Sequence, residues 1–226
     1  MPGPHDGQPV LTAGEPLERA SAAMILVHGR GATARDIMTV AAEVAQPGFA
    51  FLAPQAASDT WYPHRFTEPT ELNEPWLSSA LETLRRVLGR VEAVLPARSV
   101  ILLGFSQGAC LTLEFAARNA RRYGGVVGLS GGLIGPEPSL RDHAGSLAGT
   151  PILLLCSDVD PHIPAERVLR SAEVMRELEG EVTVELYPGM GHEVNLDELS
   201  RIRDLMAALP RREKIGDAAN LDSKEA

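Results

Sequence analysis

Lysine, cysteine and aromatic residues are all scarce in this chain of 226 residues. Its two cysteines, Cys110 and Cys156, form neither a CxxC pair nor any other metal-binding spacing, which argues against a disulfide scaffold and a cysteine-based metal site. Only two of the 21 basic residues are lysines, and both, Lys214 and Lys224, lie beyond Pro210. We therefore expect buried free thiols, a reducing compartment and a folded region whose permanent positive charges are all arginines.

The chain also lacks an excess of positive charge and any long apolar run. Its formal net charge is −9, and a nucleic-acid or membrane-surface binder needs a basic face, so both classes of partner are disfavoured. The longest apolar runs, such as 22–27 and 152–156, are far too short to span a bilayer. The N-terminal residues MPGPHDGQPV have neither the basic start nor the apolar core of a signal peptide. We expect a cytoplasmic protein without a membrane span.

What the chain does contain is an alternation of short apolar runs with longer segments of helical periodicity. The apolar runs are mostly continuous, which is typical of strands covered on both faces. They occupy 22–27, 49–53, 100–104, 125–129, 152–156 and 182–187. Helices are predicted over 33–46, 75–95, 107–120, 164–178 and 195–210. This order predicts an α/β fold with a mostly parallel central sheet and helices on both faces.

The length suits one domain, because single α/β domains commonly have about 200–250 residues. We predict one domain over residues 1–210 and a charged, disordered tail over 211–226, which contains no aromatic residue. Two long loops, 54–74 and 130–150, each follow a predicted strand. They should emerge at the carboxyl edge of the sheet, where open α/β folds bind ligands.

The motif Gly104-Phe-Ser106-Gln-Gly108 stands directly after a predicted strand and opens a predicted helix. A serine on such a tight strand-to-helix turn is forced outward, and the glycines make room for the strained backbone. The start of the helix also directs free N–H groups toward whatever the serine attacks. This context favours Ser106 as a nucleophile over a serine in an ordinary tight turn.

A nucleophilic serine needs a histidine base, and the base needs an orienting acid. For this kind of turn the chain order is serine, acid, histidine. Three histidines follow Ser106, and His192 alone lies directly after a predicted strand and before a capped helix. We therefore expect His192 rather than His143 or His162 to be the base.

The acid should follow the predicted strand 152–156, where both Asp158 and Asp160 stand. Asp158 is nearer the strand and would suit a residue that stabilises the turn. Asp160 precedes a Pro-His-Ile-Pro sequence that leads into a helix. Position in the loop favours Asp160, although both carboxylates are candidates at this point.

Attack of such a serine on a carbonyl group also requires two backbone N–H donors for the negative oxygen that develops in the transition state. One should belong to Gln107, the residue after the nucleophile. The other should come from His28-Gly-Arg30-Gly, where glycines on both sides let the N–H of Arg30 turn inward. Arg30 would then act through its main chain, and His28 is expected to be a buried structural histidine.

An aromatic-rich segment, WYPHRF at 61–66, lies in the first long loop of a chain with only 4% aromatic residues. It forms a wall of the substrate pocket, or it is anchored on the core by its own tryptophan, and both can hold together. The residues expected to line the pocket are Trp61, Tyr62, His64 and Phe66.

The basic residues near this segment allow two interpretations. Arg30, Arg65 and His64 would favour a carboxylate or phosphate on the substrate. Alternatively, the side chain of Arg30 pairs with Asp36 or Glu74.

Four motifs together resemble the phospholipase/carboxylesterase family of α/β-hydrolases, which includes acyl-protein thioesterases. They are His28-Gly-Arg-Gly, Gly-Phe-Ser106-Gln-Gly, Asp160-Pro-His-Ile-Pro and Gly-His192. The resemblance spans residues 20–209 and implies an α/β-hydrolase fold without a large cap domain. It also implies a Ser106–Asp160–His192 triad that hydrolyses carboxylic esters or thioesters. Family members with thioesterase activity usually have an aliphatic residue and an acidic one in the loop where this chain has Arg30 and Ala32.

We therefore predict a serine hydrolase that cleaves esters or thioesters of small to medium acyl groups through an acyl-enzyme. The predicted partner is a small-molecule substrate, no metal or other cofactor is expected, and a homodimer is compatible with the sequence. The same triad would also serve a peptidase or a carbon–carbon bond hydrolase. A non-catalytic binding protein on this fold would be indicated by a missing triad residue, and all three are present.

Overall fold

The computed structural model describes residues 2–137 and 143–209, and this part of the chain contains one sheet of seven strands and five α-helices. The strands are β1 (Val10–Gly14), β2 (Ala22–Val27), β3 (Phe49–Pro54), β4 (Val100–Phe105), β5 (Gly125–Leu129), β6 (Pro151–Ser157) and β7 (Glu181–Tyr187). The helices are α1 (Ala34–Val44), α2 (Trp76–Glu92), α3 (Gln107–Arg118), α4 (Ala165–Glu177) and α5 (Leu196–Ala207). The tail 211–226, predicted to be disordered, lies outside the described residues.

The strands run in the order β1-β3-β2-β4-β5-β6-β7, and all neighbours from β3 to β7 are parallel. Alternate side chains of β2 enter opposite cores: Ile25 packs in one, and Met24 and Leu26 pack in the other. Helices α2, α3 and α4 cover the first face, and α1 and α5 cover the second. The apolar runs are continuous because both faces are buried, which confirms the predicted α/β architecture.

Strand β1 is the one strand of this sheet that the apolar pattern does not predict. It pairs with β3 in antiparallel register, from Val10 opposite Pro54 to Gly14 opposite Ala50. Four of its five residues are exposed, because it lies at the edge of the sheet. A strand that buries so little carries no continuous apolar run, and a search for such runs therefore misses it.

The N-termini of helices α1 and α5 lie at the same edge of the sheet, each directly after a loop of the candidate site. Thr33 and Asn195 are their N-caps, and each forms a reciprocal capping box with the acidic residue three positions later. The first cap follows the His28–Gly31 segment, and the second follows His192 within three residues. Each helix start therefore fixes one loop of the candidate site. No helix in residues 2–137 and 143–209 is long and apolar enough to cross a membrane.

The residues before β1 form hydrogen bonds that hold the first long loop in place. His5 is buried, and burial lowers the pKa of its ring, which keeps it neutral. Its Nδ1 accepts a hydrogen bond from the N–H of Ala57 at 3.1 Å, and its Nε2–H donates to the carbonyl of Trp61 at 2.9 Å. The N-terminal segment thereby holds the two ends of the 57–61 stretch at a fixed distance.

Two glycines allow β4, α3 and β2 to approach closely around Ser106. A Cβ placed on Gly104 would lie 2.2 Å from the carbonyl oxygen of Gly108. A Cβ on Gly108 would lie 2.1 Å from the carbonyl oxygen of Val27. Any larger residue at either position would clash with backbone, which cannot rotate away as a side chain can.

We therefore predict that Gly104→Ala lowers the free energy of unfolding by at least about 2 kcal/mol, because the turn must open to admit the methyl group. Gly89→Ala is the matched control, since a Cβ there meets nothing within 4 Å. It should raise stability by about 0.5–1 kcal/mol, because alanine favours the helix. Urea unfolding followed by circular dichroism measures both, and equal stabilities for the two variants would contradict the proposed steric role of Gly104.

Candidate active site

Ser106 occupies the turn between β4 and α3 in a strained backbone conformation. Its φ is 55° and its ψ is −121°, a combination that a non-glycine residue rarely adopts and that costs about 1–3 kcal/mol. Its N–H donates to the carbonyl of Leu129 at 2.9 Å, which ties the turn to the end of β5. The turn projects the serine side chain toward the loops that follow the neighbouring strands.

Three side chains from three strand ends form one hydrogen-bonded chain. Ser106 follows β4, Asp160 follows β6 and His192 follows β7, all at the carboxyl edge of the sheet. The Oγ of Ser106 lies 2.8 Å from Nε2 of His192. The Nδ1 of His192 lies 2.7 Å from Oδ2 of Asp160. This is the contact order that a serine–histidine–acid relay requires.

Asp160 is held as a carboxylate beneath His192, with a side chain that is fully inaccessible to solvent. Burial raises its pKa, but the hydrogen bonds from His192 and from the N–H groups of His162 and Ile163 outweigh burial and lower the pKa below its usual value. One oxygen therefore accepts two backbone bonds while the other faces the imidazole. This arrangement fixes the orientation of the His192 ring.

The alternative acid and the alternative bases have other contacts. Asp158 is exposed, and its Oδ1 accepts a hydrogen bond from the N–H of Gly189 at 2.8 Å, so it stabilises the loop that precedes His192. The ring of His162 packs edge-on against that of His192, with centroids 4.9 Å apart. His143 lies instead beside α3, with Nε2 3.6 Å from the buried carboxylate of Glu114.

The segment 28–31 passes directly beside the nucleophile. A Cβ on Gly29 would lie only 3.3 Å from Cβ of Ser106, and Gly31 adopts a φ of 73° that favours glycine. Within residues 2–137 and 143–209, no acceptor is found for the N–H of Arg30. Gln107 is the first residue of α3, so its N–H also lacks an intrahelical acceptor.

His28 stabilises this segment as a neutral, buried histidine. Burial lowers its pKa. Its Nε2 accepts a hydrogen bond from the N–H of Ala56 at 3.1 Å, and its Nδ1–H donates to the carbonyl of Gly29 at 2.8 Å. These contacts agree with the structural role expected from the sequence.

A cleft of about 720 Å³ opens above Ser106 and His192. Of the four aromatic-loop residues expected in its wall, Tyr62, His64 and Phe66 line the cleft. Trp61 does not: it is fully buried, and its Nε1–H donates to the carbonyl of His28 at 2.9 Å. Both interpretations of the loop therefore hold, with Trp61 as the anchor and the other three as wall.

The alternative prediction, an ion pair of Arg30 with Asp36 or Glu74, is wrong. The guanidinium of Arg30 donates instead to three main-chain carbonyls of residues 62–64, at 2.8–2.9 Å. Both carboxylates accept hydrogen bonds near the starts of their own helices. Arg65 also lines the cleft, and its guanidinium takes no part in these three hydrogen bonds.

Several lining residues were not predicted from the sequence, among them Ile163 and Cys110. Ile163, from the turn after Asp160, belongs to the lining on the side opposite the aromatic loop and is nearly buried. Cys110 lines the cleft one helical turn after Ser106, a position that its i+4 spacing could have indicated. Burial raises the pKa of its thiol to about 12, so this cysteine stays protonated and is no competing nucleophile.

A second buried carboxylate, Glu198, lies in the capping box that follows His192. It is inaccessible to solvent, and its Oε2 accepts a hydrogen bond from the N–H of Asn195 at 2.8 Å. No partner for Oε1 is found in the described part of the chain. Burial raises the pKa of Glu198 to about 7. In the folded protein the neutral form of this carboxyl therefore predominates below about pH 7.

This pKa predicts how stability changes with pH. The unfolded chain loses the Glu198 proton near pH 4.5 and the folded chain near 7. Stability from this group is fully present below about pH 4.5 and is lost as the pH rises to about 7. Glu198→Gln keeps an acceptor for the cap, so its unfolding free energy relative to the native protein should rise by on the order of 2–3 kcal/mol between pH 4.5 and 8. Urea unfolding at several pH values measures this, and a constant difference would contradict a buried neutral carboxyl.

Comparison with known proteins places this chain in a family. Residues 13–209 match the family model described as phospholipase/carboxylesterase. A phospholipase/carboxylesterase from Dyadobacter fermentans has a similar structure, with a TM-score of 0.85 and 38% identity over 89% of this chain and 97% of that one.

Two curated relatives carry the name acyl-protein thioesterase 1. The protein from Gibberella zeae is 32% identical over 111 residues, which cover 48% of this chain and 47% of the relative. The protein from Neurospora crassa is 27% identical over 142 residues, covering 59% and 55%. The matched part thus spans about half the length of these curated relatives. From the family match and the close structural agreement, the chain belongs to the phospholipase/carboxylesterase family and has the α/β-hydrolase fold.

Proposed function

We propose that this protein is a serine hydrolase that cleaves carboxylic esters or thioesters of small to medium acyl groups through an acyl-enzyme on Ser106. The observation that carries the proposal is the continuous hydrogen-bonded chain from Ser106 through His192 to Asp160, at the base of an open cleft. Family membership supports the same reaction class.

In the proposed first step, Nε2 of His192 accepts the proton of Ser106 as Oγ attacks the substrate carbonyl carbon. The carbonyl oxygen becomes negative, and the N–H groups of Gln107 and Arg30 donate to it. The ionised Asp160 stabilises the positive imidazolium that forms. His192 then returns the proton to the departing alkoxide or thiolate, which leaves the acyl group on the serine.

In the second step, water enters the cleft and His192 removes its proton as the oxygen attacks the acyl-enzyme. The same two N–H groups stabilise the second tetrahedral intermediate. The proton passes to Oγ of Ser106 as the carboxylic acid departs, and the free enzyme is restored. Each proton transfer uses a side chain of this protein, so the proposed mechanism requires no cofactor.

The walls of the cleft support an acyl or alcohol group of limited size. Phe66 supplies apolar surface, and Tyr62 and Ile163 belong to the lining but are nearly buried. His64, Arg65 and Glu68 supply polar groups. The volume of about 720 Å³ is in the ordinary range for small-molecule sites. The two buried free thiols are consistent with the reducing cytoplasm that we propose as its location.

Removal of either member of the nucleophile–base pair should abolish turnover. Ser106→Ala and His192→Ala are each expected to lower kcat for p-nitrophenyl acetate by about 10⁴–10⁶-fold, and the double variant should lose little more, because the two act as a unit. A fluorophosphonate probe should label the native protein and leave Ser106→Ala unlabelled. A folded native protein that neither labels nor hydrolyses esters would contradict the proposal.

Exchange of carboxylate for amide at two neighbouring positions tests which acid orients the base. Asp160→Asn should lower kcat by about 10⁴-fold, because the amide removes the charge that holds the ring and its tautomer. Asp158→Asn alters only the contact to Gly189 and should retain most of the activity. Steady-state kinetics on both variants measure the difference, and a larger loss for Asp158→Asn would reverse the assignment.

A further inference from the structure

The side chain of Arg30 makes a contact set that the proposed triad chemistry does not use. Its Nη1 donates to the carbonyl of Pro63 at 2.8 Å, and its Nη2 donates to the carbonyls of Tyr62 and His64 at 2.9 and 2.8 Å. These three carbonyls belong to consecutive residues in the wall of the cleft. One guanidinium therefore holds the whole segment from a position next to the nucleophile.

Gln107 holds the same segment from the other side. Its Nε2 donates to the carbonyl of Tyr62 at 2.8 Å, and its Oε1 accepts the N–H of Trp61 at 2.9 Å. The side chain is buried, so these bonds face little competition from water. The carbonyl of Tyr62 is thus shared by donors from Arg30 and Gln107.

Arg30 and Gln107 both reach this segment with their side chains, and their main-chain N–H groups are the two that are proposed to bind the oxyanion. We propose that Arg30 and Gln107 are positioning residues whose side chains clamp residues 61–64, so that the wall of the substrate cleft fixes the oxyanion donors. This inference rests on the proposed hydrolase function. It gives the side chain of Arg30 a role in turnover rather than in recognition of a substrate anion.

Arginine suits this position for a physical reason. Its planar guanidinium presents five N–H donors in a fixed fork, which allows one side chain to bond to three carbonyls in different directions. Lysine has a single point charge and cannot reproduce that geometry. Bonds from a charged donor are also stronger than neutral ones, which suits a clamp at an exposed rim.

The clamp contributes more to geometry than to folding. Arg30 and its contacts with Pro63 and His64 are exposed, so water can satisfy those carbonyls when the side chain is removed. The segment 28–31 would then lose these hydrogen bonds to residues 62–64. The main-chain N–H of Arg30 would move away from the position in which it can donate to the oxyanion. Complete loss of one oxyanion donor costs about 10²–10³ in rate, which sets an upper bound for the effect.

The test compares Arg30→Met and Arg30→Lys with Arg35→Met, which removes the same charge from an exposed position of α1. We expect Arg30→Met to lower kcat for p-nitrophenyl acetate by about 10–100-fold, with KM changed by less than about 3-fold, because the loss concerns the transition state. The rate of phosphonylation of Ser106 by a fluorophosphonate should fall in parallel, since the phosphoryl oxygen occupies the same hole. Arg30→Lys should recover part of both rates, and Arg35→Met should match the native protein.

A double variant tests whether the two side chains act through one segment. If Arg30→Met and Gln107→Leu both release residues 61–64, the double variant should lose less than the product of the two single losses. Melting temperatures are recorded for all variants. Multiplicative losses, or a loss in kcat that follows the melting temperature while phosphonylation stays unchanged, would overturn the clamp.

The results also separate this inference from the proposed function. A native protein that is active and labelled, with Arg30→Met equal to it in both rates, overturns the clamp alone. A folded native protein that is neither active nor labelled overturns the proposed function, and the clamp falls with it. Parallel losses with partial rescue by lysine support both.

Discussion

The close approach of backbones around Gly104 and Gly108 is the constraint on which the rest of the site depends. With no side chain at either position, α3 begins against the ends of β2 and β4, and Ser106 between them is forced to a φ of 55°. That conformation presents Oγ to His192 and the start of α3 to the same space. The strain of about 1–3 kcal/mol at one residue is sustained by a sheet buried on both faces.

The parallel sheet then brings the remaining groups of the site to the same place. Loops after β2, β3, β6 and β7 all emerge at the edge where β4 ends, so residues distant in sequence meet there. Backbone N–H groups hold the carboxylate of Asp160, and the cap of α5 fixes the loop that contains His192. Arg30 and the aromatic segment approach from the opposite side. The cleft is the space left between these two groups of loops.

Local patterns predicted six of the seven strands and the five α-helices in the described part of the chain, and the positions of Ser106 and His192, because each depends on short-range rules: apolar runs, caps and a strand-to-helix turn. The same patterns left Asp158 and Asp160 both open as the acid, and the family resemblance favoured Asp160. Such rules do not predict contacts between loops that are distant in the sequence. The burial of Trp61 and the bonds from Arg30 to carbonyls more than 30 residues away depend on how loops pack. Strand β1 buries too little surface to leave a pattern. The unpaired oxygen of Glu198 is likewise a property of the packed structure.

The central claim is that the strained serine carries the acyl group during turnover. The most direct measurement mixes the native protein with an aryl ester, quenches the reaction in acid within milliseconds, and locates the added mass by peptide mass spectrometry. The account predicts one acyl group per chain on the peptide that contains Ser106, released on longer incubation. Turnover without any acylated peptide, or with the acyl group on a different residue, would contradict it.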